Sequence, residues 1–110
     1  MNVFNVLTTS ELKAIPLKER FLTSMLMEKA NVKFSESIID ILVARNDMDR
    51  LKDFQKERRD SWEAYHVVKE LYETEYGMIP KEVDKALDDS ARELAEKTLI
   101  KCGWKEEVEK

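Results

Sequence analysis

The chain reads as all-α, with four to five helices and one long central helix, and three observations predict this. Its 110 residues include only two glycines and two prolines, so few positions break a helix. Apolar residues recur at intervals of three and four along most of the chain. Residues 47 to 76 run without glycine or proline. At this length one domain, 1–110, is expected to bury a core without metals or disulfides.

In "LTTSELKAIP", Thr8 stands three residues before Glu11, the spacing of a capping box, so a first short helix is expected over about 8 to 15. Pro16 suits the first turn of a second helix, where Leu17, Phe21, Leu22, Met25 and Leu26 make an apolar stripe to about Lys29. "ANVKF" then breaks the period. Ser35 or Ser37 can cap a third helix carrying Ile38, Ile39, Ile41, Leu42 and Val43. Its apolar groups cover nearly every face, which places it centrally.

The pattern Met48, Leu51, Phe54, Trp62, Tyr65, Val68, Tyr72 predicts one helix to about Tyr76. Thirty helical residues span about 45 Å, whereas a compact domain of this size has a diameter nearer about 35 Å. That helix is therefore expected to overhang, break, or pair with a second copy as a homodimer. Gly77 is expected to cap it in the left-handed conformation, and Pro80 to open the last helix, with Met78 stapled onto Val83. Val83, Leu87, Ala91, Leu94 and Thr98 form its stripe; Gly103 ends it so that Trp104 folds back near Leu99, and a frayed tail follows from about 105.

Charge and composition narrow the function. The formal charge is −4, and no segment is a basic arm, so neither nucleic acid nor anionic lipid is attracted by composition. The longest apolar stretch, "IIDILVA", is far shorter than the roughly 20 residues that cross a bilayer. One cysteine, Cys102, makes no intramolecular disulfide, and the first 30 residues carry no secretory signal pattern, so a cytoplasmic location is expected.

The usual equipment of enzymes is thin. Glu63, His66 and Glu70 share a helix face that could hold a divalent metal, and Glu63-x-x-His66 is half of a di-iron signature, but the chain has a single histidine, and that centre needs a second Glu-x-x-His pair. Asp47, Asp49 and Asp53 have the opening spacing of a calcium loop, yet Lys52 stands where glycine is needed and Arg58 where a bidentate glutamate is needed. Acids at a helix start account for Asp47 and Asp49. A Cys102–His66 dyad would require two distant segments to meet, and Gly77 and Gly103 are too isolated to cradle phosphate. No metal, cofactor or catalytic residue is assigned.

Two binding readings remain. In "NVKFSESII", Asn31 and Lys33 alternate with Val32 and Phe34; this resembles the strand of a ribbon-helix-helix DNA binder, whose polar side chains enter the major groove. The resemblance covers about a fifth of the chain and implies a dimeric regulator contacting DNA through Asn31 and Lys33. Against it, Asn46, Asp47 and Asp49 stand where that family starts its second helix with phosphate-friendly residues. The favoured reading uses "QKERRDSWEAYH", where Arg58, Arg59, Trp62 and Tyr65 occupy neighbouring turns and belong to the residue types that anchor protein interfaces. It makes the chain a non-enzymatic partner-binding module, acting as a small regulator, inhibitor, adaptor or assembly factor, as would suit a phage or mobile-element accessory protein. Arg58, Trp62 and Tyr65 carry that reading; His66 is set aside.

Overall fold

The computed structural model describes residues 16–106. Among them three helices form, and no strand: α1 (Leu17–Ala44), α2 (Met48–Tyr76) and α3 (Lys81–Lys101). The all-α class holds, but four to five helices become three among the described residues. The helix expected over 8 to 15, and the tail beyond Glu106, lie outside them.

The difference arises at "ANVKF". Residues 17–29 and 35–44 are parts of one unbroken helix of 28 residues, because Ala30, Phe34, Ile38 and Leu42 continue at steps of four through the apparent interruption and are all buried. Ser35 therefore lies inside a helix, fully buried, and caps nothing. Asn31 is also no break. Only 1% exposed, it donates from Nδ2 to Glu57 Oε1 at 3.0 Å and to the hydroxyl of Ser61, both on α2.

That helical path removes the strand on which the ribbon-helix-helix resemblance depends. Asn31 and Lys33 do not alternate on a ribbon: Asn31 points into the α1–α2 contact, and Lys33 reaches Asp88 of α3 at 3.1 Å.

Helix α1 turns back into α2 within three residues. Arg45 ends it, Asn46 takes a left-handed φ of 57°, and the amides of Asn46 and Asp47 donate to the carbonyls of Val43 and Leu42. This paired closure satisfies two of the carbonyls that a helix end leaves free. Asparagine tolerates that conformation better than most residues.

The length conflict disappears with it. Helix α2 is a single helix of 29 residues, and α1, nearly as long, lies antiparallel beside it: Leu42 and Leu51 share a cluster near the turn, while Phe21 meets Tyr76 edge-on at 6.3 Å at the far end. The molecule measures 44 × 34 × 30 Å, so its long axis matches a helix of this size at about 1.5 Å per residue. The expected overhang is not needed, because α1 accompanies α2 along its length.

Helix α3 packs on the other side of α1, and the described parts of α2 and α3 have little direct contact. The expected central placement of "IIDILVA" is seen in part: Ile38 and Leu42 are buried in the core, whereas Asp40, Val43 and Ala44 are exposed. Ala91, Ala95 and Leu99 are the buried line of α3, while Val83 and Thr98 of the expected stripe are only half-buried. Two alanines at successive turns let α3 approach α1 closely.

The ends of α2 and α3 differ in how far they follow expectation. Gly77 has φ 86° but ψ −176°, a positive φ that glycine accepts without a left-handed cap. Met78 does not staple, being almost fully exposed; Ile79 packs instead against the Met25–Tyr65–Tyr72 cluster. At the end of α3, Gly103 has φ 81° and the amide of Trp104 donates to Leu99 at 2.9 Å, so Trp104 folds back as expected. It packs on the Ile38–Leu42–Leu99 cluster and meets Phe54 edge-on at 5.9 Å.

Removing Asn31 tests the polar tie inside this frame. Asn31→Ala deletes both hydrogen bonds at a buried position and is expected to lower unfolding stability by about 1–3 kcal/mol. The check is a shift of the urea midpoint with an unchanged slope; an unchanged midpoint would show that the tie contributes nothing.

Candidate functional site

The stretch 55–66 divides once it is folded. At 100° per residue, Trp62 and His66 fall on one flank of α2, with Tyr65 turned further inward. Tyr65 is 4% exposed and belongs to the core with Met25 and Tyr72, whereas Trp62 is 47% exposed. The two rings stack at 5.9 Å with an interplanar angle of 30°. His66, which the sequence reading set aside, meets Trp62 edge-on at 4.5 Å and Tyr65 at 5.2 Å. The three rings thus form one aromatic wall, anchored in the core at Tyr65.

Arg58 does not join that wall. Its Nε and Nη2 both donate to Glu36 Oε1 of α1, each at 3.0 Å, in an exposed pair. Arg59 is exposed and does not line the groove. Lys56 pairs with Asp60 one turn on, at 2.9 Å. The charged residues around Arg58 thus form a largely solvated face, tied to α1 by Arg58 to Glu36 and by Glu57 to Asn31.

The aromatic wall faces a groove of about 280 Å³ between the three helices, with Val32 of α1 in its floor. Its opposite side is ionic. Lys29 Nζ lies 3.4 Å from Asp84 and 3.9 Å from Asp88, and Lys33 Nζ lies 3.1 Å from Asp88. Lys29 also stands 5.2 Å above the Tyr65 ring, its side chain mostly buried, so the cation bridges aromatic and acidic parts of the groove. Burial pushes the Tyr65 hydroxyl above its ordinary pKa. The hydrogen bond from Lys33, aided by the charges of Lys29 and Arg92, holds the Asp88 carboxyl below its ordinary value.

Lys29, Asp84 and Asp88 were not singled out from sequence, and Lys33 only as a DNA contact, though a signal was present. Lys29 and Lys33 are like charges four apart on a helix, as are Asp84 and Asp88. That spacing is unfavourable in isolation and becomes favourable when the opposite pair faces it.

Among the described residues, no three of His, Cys, Asp and Glu are grouped to hold a metal ion. Glu63, His66 and Glu70 do not converge in this way, nor do Asp47, Asp49 and Asp53. Cys102 lines a separate cleft beside Trp104, while His66 lines the aromatic groove, so the structure does not bring thiol and imidazole together. No helix among the described residues is long and apolar enough to cross a membrane. Comparison with protein-family models, curated proteins and solved structures finds no match to this chain.

Asp88 gives the site a pH signature. Its folded pKa lies below its unfolded one, so the unfolded chain binds more protons across that window. The stabilisation is present above the ordinary carboxylate range of about 4 and is lost as pH falls through the lower, folded value. The side chain is 38% exposed, so solvent screening holds the effect below about 1 kcal/mol. Asp88→Asn is expected to be less stable than the parent at pH 7, with the gap closing towards pH 2 to 3, as measured by chemical denaturation; a gap that widens on acidification would contradict this.

Proposed function

We propose that the chain is a non-enzymatic protein-binding module whose contact surface is the Trp62–His66 wall and the groove it borders. The observation that carries this reading is the half-exposed Trp62, held by a ring stack to a tyrosine fixed in the core. A pre-positioned aromatic side chain loses little conformational freedom on binding, and tryptophan and tyrosine are the residues that most often dominate interface energies.

The ionic lining favours protein over nucleic acid as the partner. Lys29, Lys33 and Lys69 are offset by Glu36, Asp84 and Asp88 around the groove, and Lys29 and Lys33 are already paired. A phosphate backbone would need surplus positive charge there. A mixed surface with an apolar anchor suits the centre and rim of a protein interface. Such a module serves as a regulator, inhibitor, adaptor or assembly factor in the cytoplasm.

The test is capture of partners by the full chain and three variants. Trp62→Ala is expected to lose partner affinity by about 2 kcal/mol or more, with helical circular dichroism unchanged. Val67→Ala, at a somewhat more exposed position outside the groove, is expected to retain it. Tyr65→Ala is expected to lose about 3–5 kcal/mol of stability through the core. Equal capture by the Trp62 and Val67 variants would contradict the reading.

A further inference from the structure

A second cleft, of about 390 Å³, opens on a different side of α1. Phe34 in its wall stands about 160° around the helix from Val32 in the groove floor. Phe54 from α2 and Trp104 from the turn after α3 complete an aromatic lining. The volume falls in the range of about 300–1,000 Å³ typical of small-ligand sites.

Its polar groups are unequal in charge. Among the described residues that line the cleft, Asp53 and Glu57 stand with one cation, Arg50. Glu57 is not a loose surface acid: its Oε1 accepts from the buried Asn31 at 3.0 Å, which fixes the carboxylate at the cleft. Trp104 is fixed as well, by the hydrogen bond its backbone N–H donates to the Leu99 carbonyl and by its edge contact with Phe54. An anionic aromatic cleft with positioned walls selects against anions and favours cations with an apolar body.

An independent observation shows what occupies that aromatic surface now. The guanidinium of Arg50 lies 4.9 Å from the centroid of the Trp104 ring, a cation–π contact made by an exposed side chain of α2. The chain's own cation sits where a foreign one would sit.

We propose that this cleft binds a small organic cation, an ammonium or guanidinium head on an apolar body. The head displaces Arg50 from the Trp104 face and pairs with Asp53 and Glu57, while the body lies against Phe34 and Phe54. The same chemistry is offered by a free amine or by an arginine side chain of another protein. This site does not depend on the Trp62 groove.

The experiment uses the full, nitrogen-15-labelled chain, whose two tryptophans give two indole N–H signals, one at each site. Benzylammonium and N-acetylarginine amide are titrated separately, with benzyl alcohol and phenylacetate as neutral and anionic controls. Saturable movement of the Trp104 signal is expected with the cations, with Trp62 still, and the controls at least about threefold weaker. Asp53→Asn is expected to weaken binding about threefold or more, and Arg50→Gln to strengthen it by about the same factor by vacating the ring. Glu57→Gln is expected to weaken it too, and Asp53→Asn carries the test if that variant unfolds. Tighter binding of the arginine amide supports the proposal with a protein side chain as the source, and tighter benzylammonium supports it with a free amine. An unmoved Trp104 signal, equal binding of benzyl alcohol, or weaker binding by Arg50→Gln would overturn it.

Discussion

A helix with apolar side chains around more than half of its circumference leaves only a narrow face for water, so it must be covered on more than one side. Helix α1 is that helix. Met25 and Val32 point nearly opposite to Phe34 around its axis, with Ile38 and Leu42 between them, and all five are buried. The other two helices each carry a narrower apolar stripe and a broad charged face, and each uses its stripe on α1 rather than on the other. The arrangement is a spine with two flanking helices. The grooves on either side of the spine follow from it, since α2 and α3 do not close over α1 completely.

Polar residues within the spine fix its register. Asn31 would be costly to bury without partners, and its bonds to Ser61 and Glu57 favour the one alignment of α1 on α2 in which these groups meet. Apolar contacts alone tolerate sliding by a turn more readily. On the other flank, Asp88 receives Lys29 and Lys33 and aligns α3 similarly. Both ties also build the sites: Glu57 is positioned at one cleft by the same bond that sets the register, and Lys29 is held beside Tyr65 by the same acids that align α3.

Much of the fold was legible because its signals are local. Pro16 and Pro80 mark helix starts, the uninterrupted run to Tyr76 marks α2, and Gly103 marks the turn that returns Trp104 to the core. The continuity of α1 was not legible by the same rules. Asn31, Ser35 and Ser37 carry the local signature of a break, and what overrides it is a tertiary contact with Ser61, thirty residues away. The Leu26, Ala30, Phe34, Ile38, Leu42 spacing was the countersignal, visible only when the period is followed through the polar residues. The site was half legible for a related reason. Trp62 and Tyr65 are neighbours on one helix, but burial separates their roles, Arg58 turns to Glu36, and the lysines and aspartates that complete the groove come from other helices.

The fold depends on α1 being one continuous helix, and native-state hydrogen exchange of its backbone amides tests that most directly. Amides of residues 30–38 are expected to exchange only through global unfolding, with the same denaturant dependence as the whole chain. Exchange of residues 31–35 through local opening, at a free energy well below that of global unfolding, would show a break at "ANVKF" and contradict the spine.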